Sequence, residues 1–317
     1  MEAAKIESMI IHHLNRALPH HKMRDVYFYA VLPAGKFFRP SLVWSIAKDL
    51  NFSLYNLSIN NINSNLALLS SSVELHHAYT LIHDDLPCMD NDLVRRGKAC
   101  THIAYGEWQA LLAGDGLLNV SYQLIAKMNH PRVQELLKLY SWSTGPKGLI
   151  HGQSLDLSHE MTESFTNTIR THELKTARLI QVSILGSALL AMSQSDRSIE
   201  KKLFTYARLL GINFQLIDDL SELASTNLSQ HEIDVNPWLK FSDESLNTCI
   251  DNLKKFEVLS VDLNLKSTNS IVNKYYEKML GEIETNIQTI HEHLKNKIDL
   301  APVIFLMKNF CNIKNFN

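Results

Sequence analysis

The residues best suited to chemistry lie between Glu74 and His102. An apolar run there ends in Asp84 and Asp85, and Asp90, Asp92, Arg95, Arg96 and Lys98 follow. Pro87 ends the helix that the run predicts. Carboxylates at the end of a buried helix can hold Mg²⁺ through one or two oxygens each, leaving positions for substrate phosphates. Arginines beside them can take phosphate oxygens bidentately. The stretch reads as a place where metal and protein share a diphosphate. Taken alone, Asp84-Asp85 would equally suit a charged loop capping a helix.

Further candidates are spread along the chain. Phe214-Gln215-Leu216-Ile217 leads into a second acidic group, Asp218, Asp219 and Glu222. Asp218 and Glu222 are four apart and share a helix face. Gln153 and Asp156, three apart, also share one; they suit either the orientation of metal-bound water or a buried polar pair between helices. Lys175 stands in an otherwise apolar segment, where a cation is costly unless paired. Lys36 and Arg39 lie in a turn between Leu32 and Pro40, near a helix start that favours anions, although ordinary surface charge explains them as well. His76 and His77 sit about two turns before the aspartates, where core packing is the plainer role. His-Glu pairs begin at His159, His172, His231 and His291, but none has a second His three residues after its Glu, so no zinc-protease helix is present.

The elements that must position these groups read as helices. Ile6, Met9, Ile10, Leu14 and Leu18 recur at three- and four-residue steps over residues 1–18, and Pro19 should end that helix. A turn precedes a helix in which Pro40 takes a first-turn position. Asn51 to Asn65 reads as a loop or short helix, Leu66 to His83 as the central helix, and Gly106 to Asn119 as a further buried helix whose small residues allow close packing. From Leu246 onward the pattern is amphipathic and helical. The chain has 317 residues, only 11 Gly and 8 Pro, and a formal net charge of −2. So few breakers favour long helices, and so little charge argues against a nucleic-acid partner. Cys88, Cys100, Cys249 and Cys311 have neither metal nor disulfide spacing, which suits a reducing compartment. The N-terminus does not read as a signal peptide. The apolar run Leu179 to Met192 reads as too short and too polar to span a bilayer. A cytoplasmic protein without stable membrane insertion is expected.

In this order, the elements resemble those of the trans-polyprenyl diphosphate synthases. The family's first motif is Asp-Asp, two or four residues, Asp, and then Arg-Arg-Gly. Here it is Asp84, Asp85, Asp90 and Arg95-Arg96-Gly97. The four-residue spacer, Leu86 to Met89, is similar to that of the branch holding bacterial farnesyl and geranylgeranyl diphosphate synthases. Gly35-Lys36 and Arg39-Pro40 resemble the family's Gly-Gly-Lys-x-x-Arg-Pro, with Ala34 replacing the first glycine. Gly152-Gln153 with Asp156-Leu157 resembles Gly-Gln-x-x-Asp-Leu, with His151 where a glycine is common. Lys175-Thr176 resembles the family's Lys-Thr pair, and Phe214 to Glu222 its second acidic motif, with Glu222 in place of Asp. Two features depart further. The segment Ala224 to Phe241 has no glycine, and Asp234 and Lys240 only approximate the family's Asp and Lys. Lys308 and Lys314 are weak counterparts of its basic tail.

The resemblance implies an all-α isoprenoid-synthase fold over 1–317, with one domain, helices around a deep cavity, and a homodimer. It implies about three Mg²⁺ per site, held by Asp84, Asp85, Asp90, Asp218, Asp219 and Glu222. Lys36, Arg39, His77 and Arg96 would bind isopentenyl diphosphate, and Arg95, Lys175 and Thr176 the allylic diphosphate. Gln153 and Gln215 would face the reacting region. Tyr79, five residues before Asp84 and so about 7.5 Å along the helix, would form a floor for the growing tail and select farnesyl diphosphate. Three alternatives stand beside this reading. One is a longer-chain geranylgeranyl synthase. Another is a non-catalytic homologue, suggested by the altered second motif. The third is a class I terpene cyclase, which needs no isopentenyl pocket and so leaves Lys36, Arg39, His77 and Arg96 without a purpose.

Overall fold

The computed structural model describes residues 3–33, 35–192 and 194–312; Ala34 and Lys314 lie outside them. In chain order come α1 (Ala3–Ala17), α2 (Met23–Val31), α3 (Phe38–Leu50), α4 (Phe52–Ser58) and α5 (Asn65–Asp84). A two-stranded hairpin follows, β1 (Val94–Arg95) and β2 (Lys98–Ala99), then α6 (Thr101–Tyr105), α7 (Glu107–Ala126), α8 (Val133–Thr144) and α9 (Leu149–Leu157). Beyond a short 3₁₀ turn lie α10 (Phe165–His172), a π-turn (Glu173–Ala177), α11 (Arg178–Ala191) and α12 (Arg197–Glu222). The rest is α13 (Gln230–Val235), α14 (Pro237–Lys240), α15 (Ser242–Asp262), α16 (Lys266–Thr285), α17 (Ile287–His293) and α18 (Ala301–Asn312). The expected all-α class is thus observed, and the hairpin is the only strand pair among the described residues.

The chain forms two compact units, Met1–Leu139 with Gly186–Gln194, and Tyr140–Leu185 with Ser195–Asn317. In the first unit α5 is the axis. Ser64 caps it by accepting from the Ala67 amide. Its sides are apolar or small, and Ser70, Ser71 and Ser72 are fully buried. The small residues let α7 approach closely, and Ser72 Oγ donates to the Ser121 carbonyl at 2.8 Å. On α7, a Cβ at Gly114 would strike the His83 ring. Of Leu112 to Asp115, Ala113 and Gly114 pack closely while Leu112 and Asp115 are exposed, so the helix expected to be buried is buried on one face only. Ile6, Met9, Ile10 and Leu14 form the buried stripe of α1.

In the second unit α12 is the axis. Asp196 caps it by accepting from the Ser198 and Ile199 amides. Gly211 faces Ala177 where no Cβ fits, so the π-turn lies directly on α12. Tyr206 stacks on Phe256 at 4.4 Å, and Tyr276 and Phe310 pack around that ring.

One sequence expectation needs correction. The apolar run at Leu179 is not a short segment. It continues back through the π-turn into α10, giving a 27-residue helix, Phe165–Ala191, long and apolar enough to cross a membrane by length and composition. Yet 89 % of its apolar window is buried inside the protein, as in a core helix.

The glycine-free segment after α12 is well built. Ser229 and Glu232 form a reciprocal capping box at α13. Asn236 caps α14 and donates to the Asp219 carbonyl at 2.7 Å. Trp238 is fully buried and donates from Nε1 to the Leu216 carbonyl at 2.6 Å. Both bonds pin the segment to the last turns of α12. Trp238→Ala should therefore cost about 3–5 kcal/mol of stability, the usual range for a buried Trp. Denaturant unfolding followed by circular dichroism measures this; a loss below about 1 kcal/mol would show that the segment does not anchor α12.

Candidate functional site

In the first unit the acidic motif begins at the C-terminal end of α5. The chain then curls back: the Asp90 amide donates to the Asp84 carbonyl at 2.8 Å, and that of Asn91, with φ of 56°, to the Leu86 carbonyl at 3.1 Å. Asp90 thus returns beside Asp84. Asp85 turns inward. Its carboxylate accepts from Arg95 Nε at 2.5 Å and from the Cys100 thiol, and burial raises its pKa against the pull of Arg95. Arg95 also reaches Asp92 at 2.9 Å.

The hairpin aims the arginines. Val94 pairs with Ala99 and Arg95 with Lys98, leaving Arg96 and Gly97 as a two-residue loop with φ of 55° and 77°. Two positive φ values are the signature of a tight hairpin whose twist matches its strands. Arg96 is an uncommon residue for that conformation. It holds its guanidinium over Gly35, where a Cβ would meet it. Arg39 and His77 complete the cluster. Burial, then Arg39, Arg96 and Arg95, hold His77 well below the ordinary histidine range, so it is neutral. Burial lowers Arg39 to about 10, with Glu74 raising it and Arg96 lowering it again. Among the described residues Arg96 has no ion-pair partner, and Arg39 Nε has no hydrogen-bond partner. This cationic excess suits an anion with several oxygens. Lys36 follows Gly35 in the same turn.

Tyr79 is buried between two histidines, edge-to-face with His76 at 4.9 Å and His83 at 5.1 Å. His83 is itself held by α7, its Nε2 lying 3.0 Å from the Leu111 carbonyl. The Tyr79 ring is therefore fixed from both sides.

In the second unit the π-turn presents Lys175 and Thr176. Glu173 at its start is clamped by Arg178 at 2.9 Å and Arg208 at 2.6 Å, and Arg178 lies over the Trp142 ring. Gly152 of α9 lets the Lys175 backbone come in close. Lys175, half-buried, pairs with Asp156, which answers the cation that the sequence marked as costly. Thr176 Oγ1 donates to Gln215 Oε1 at 3.1 Å, and Gln215 Nε2 donates to Asp219 Oδ1 at 2.7 Å. His172 Nε2 lies 3.4 Å from Asp219 Oδ2, near but not aligned for a hydrogen bond, so that oxygen is left unsatisfied. Burial, then Glu222, push Asp219 well above the usual carboxylate range, against the hydrogen bond from Gln215. Burial, Asp218 and Glu232 raise Glu222 to about 7. Both polar atoms of the Gln153 side chain are buried without partners.

This donor set fits a divalent cation. Crowded carboxyls repel one another's charge, and a buried oxygen of Asp219 is unmatched. No three metal-binding side chains among the described residues form a preformed cage. Mg²⁺ needs none, since it keeps waters and takes one or two carboxylates plus phosphate oxygens. Sequence reasoning missed His172, the Glu173 clamp and the Cys100 bond to Asp85. Each depends on residues brought together by the fold, and no spacing announces it.

An all-helical chain that ends two core helices in carboxylates, and sets an arginine cluster beside one of them, suits metal-assisted handling of a diphosphate. Residues 20–233 match the family model described as "Polyprenyl synthetase", and the chain belongs to that family. It is 31 % identical over 225 residues to farnesyl diphosphate synthase of Geobacillus stearothermophilus, covering 69 % of this chain and 72 % of the relative. Its structure is similar to that of a Helicobacter pylori geranyltransferase, with TM-score 0.70, 26 % identity, and coverage of 87 % and 99 % of the two chains. A structure of geranyltransferase from that organism complexed with magnesium and isoprenyl diphosphate shares the fold at TM-score 0.71 and 24 % identity, over 87 % of this chain and 99 % of that one.

Gly35→Ala tests the arginine cluster. The new methyl would push the flexible end of Arg96 aside without disturbing backbone. Binding of inorganic diphosphate, measured by calorimetry, should weaken about tenfold, or roughly 1.4 kcal/mol. An unchanged affinity would place the anion elsewhere.

Proposed function

We propose that this protein condenses isopentenyl diphosphate with dimethylallyl or geranyl diphosphate to give farnesyl diphosphate. The observation that carries the reading is the cationic group of Arg39 and Arg96 beside His77, with the Arg96 guanidinium over Gly35. A cyclase, with one diphosphate substrate, has no use for it.

In this reading Lys36, Arg39, His77 and Arg96 hold isopentenyl diphosphate. Asp84, Asp85, Asp90, Asp218, Asp219 and Glu222 are the carboxylates for about three Mg²⁺. Bound Mg²⁺ would neutralise the allylic diphosphate as leaving group. Lys175 and Arg95 bind its remaining oxygens, which requires each to share itself between its carboxylate partner and the substrate. Thr176 and Gln215 keep the Lys175 turn in register with Asp219. The allylic carbon–oxygen bond breaks, and the isopentenyl double bond attacks the resulting cation. The departing diphosphate takes the proton, so no side chain need act as base. Gln153, with its unpartnered amide, faces the developing cation. Tyr79, fixed between His76 and His83, stops the chain at fifteen carbons. One domain and a cytoplasmic location complete the reading. A homodimer does too, through the exposed Ile103, Trp108, Leu111 and Leu112 of α6 and α7.

Labelled isopentenyl diphosphate with each allylic primer and Mg²⁺ should yield a fifteen-carbon product. A twenty-carbon product would make the chain a longer synthase, and no product would favour a non-catalytic homologue. Asp84→Asn should lower turnover at least about a hundredfold, roughly 3 kcal/mol, with the fold intact; a wild-type rate would sink the metal role. Tyr79→Ala should lengthen the product, read by chain-length analysis, and an unchanged product from an active variant would remove Tyr79 from the mechanism.

A further inference from the structure

Two groups in the second unit have no place in the scheme above. One is His172, a buried imidazole at the end of α10. The other is the π-turn that begins at the next residue. A π-turn inserts one residue into a helix and shifts everything after it around the axis, and such turns are frequent at functional sites. His172 and Thr176 are four apart, a spacing that sets two residues on one side of a helix. His172, before the turn, and Thr176, within it, both reach the same helix, α12. Thr176 reaches Asp219 through Gln215, and His172 approaches the other oxygen of the same carboxylate. The turn is fixed at its start by the Glu173 clamp. Lys175, between the two reaching residues, pairs with Asp156, whose charge also acts on His172 and Asp219.

We propose that His172 is a positioning residue for cation binding at the second acidic site, acting through Asp219. Asp219 Oδ1 is committed to Gln215. Its Oδ2 is buried and unsatisfied, with the His172 ring 3.4 Å away, and His172 Nδ1 is likewise without a hydrogen-bond partner. A small rotation of the ring would let Nε2–H donate to Oδ2. That bond would fix the carboxylate plane while Gln215 holds the other oxygen. Partners of this kind behind a metal-binding carboxylate set its orientation and basicity. The backbone is braced on the opposite side, where Asn236 donates to the Asp219 carbonyl. Asp219 is then held at three points, and Asp218 and Glu222, on the same last turns of α12, inherit a fixed frame. The inference rests on the proposed function, because it assigns His172 a role toward the metal of that reading.

The test is Mg²⁺ titration of thermal unfolding in the presence of inorganic diphosphate, using the full chain. Wild type is compared with His172→Ala, with His172→Phe, which keeps a ring but no donor, and with His172→Asn, which restores an N–H. Each variant is referenced to its own metal-free Tm, so a packing defect is subtracted. The half-saturating Mg²⁺ should rise about 10–100-fold in His172→Ala and His172→Phe, the usual cost of losing such a partner. It should return most of the way in His172→Asn. If His172→Ala does not fold, His172→Phe carries the comparison. Half-saturation at the wild-type concentration in the folded donorless variants would overturn the proposal and leave His172 as core packing, with the proposed function intact. A wild type whose Tm does not respond to Mg²⁺ and diphosphate would overturn the metal reading itself, and this inference with it.

Discussion

The constraint on which the second unit depends is the crowding of like charge at the end of α12. Asp218, Asp219 and Glu222 lie on its last turns, and Asp156 adds to the field at Asp219. Carboxylates removed from water at such spacing cannot all ionise unless something of opposite sign meets them. Lys175 meets Asp156, and Gln215 gives Asp219 one hydrogen bond. Neither offsets the whole. Lys175 and Thr176, adjacent in the π-turn, meet these carboxyls through different partners, Asp156 and Gln215. The first unit has the opposite imbalance, since Arg39 and Arg96 gather around His77, with Glu74 as the acid that acts on both arginines. In the proposed function a divalent cation answers the first imbalance and a diphosphate the second.

Much of this was legible in the linear chain. Asp84 and Asp85 ending an apolar run, and Asp218 and Glu222 four apart, are local patterns, and helical periodicity places them without tertiary information. The arginine cluster was half legible. Arg95-Arg96-Gly97 was recognised as a motif, but only the hairpin, with positive φ at Arg96, explains how a guanidinium reaches a turn sixty residues earlier in the chain. The inward turn of Asp85 toward Arg95 and Cys100 was hidden, because neighbouring aspartates look alike until one is buried. His172 carried no signal beyond a His-Glu pair. The helix at Leu179 is longer than its apolar pattern because polar His172, Glu173 and Lys175 interrupt that pattern; Glu173 pairs with Arg178 and Arg208, and Lys175 with Asp156, so the helix continues through them.

The segment after α12, Ala224 to Phe241, has no glycine. A glycine-rich stretch would leave the backbone many conformations. Here a capping box, an Asn cap and a buried Trp leave few. Asn236 and Trp238 also bond to carbonyls of α12 itself, so the segment steadies the acidic turn. Order in this segment and order in the carboxylates are therefore one property, and Glu222, longer by a methylene than the family's Asp, works from that braced turn.

The central claim is that the carboxylates hold substrate only with a metal between. Calorimetric titration of geranyl diphosphate, with Mg²⁺ and then with excess EDTA, addresses it directly. Affinity with Mg²⁺ should be at least about a hundredfold tighter, or roughly 2.7 kcal/mol. Equal affinity in EDTA would contradict the account, because it would mean that the arginines and lysines alone bind the diphosphate and that the acidic turns have another purpose.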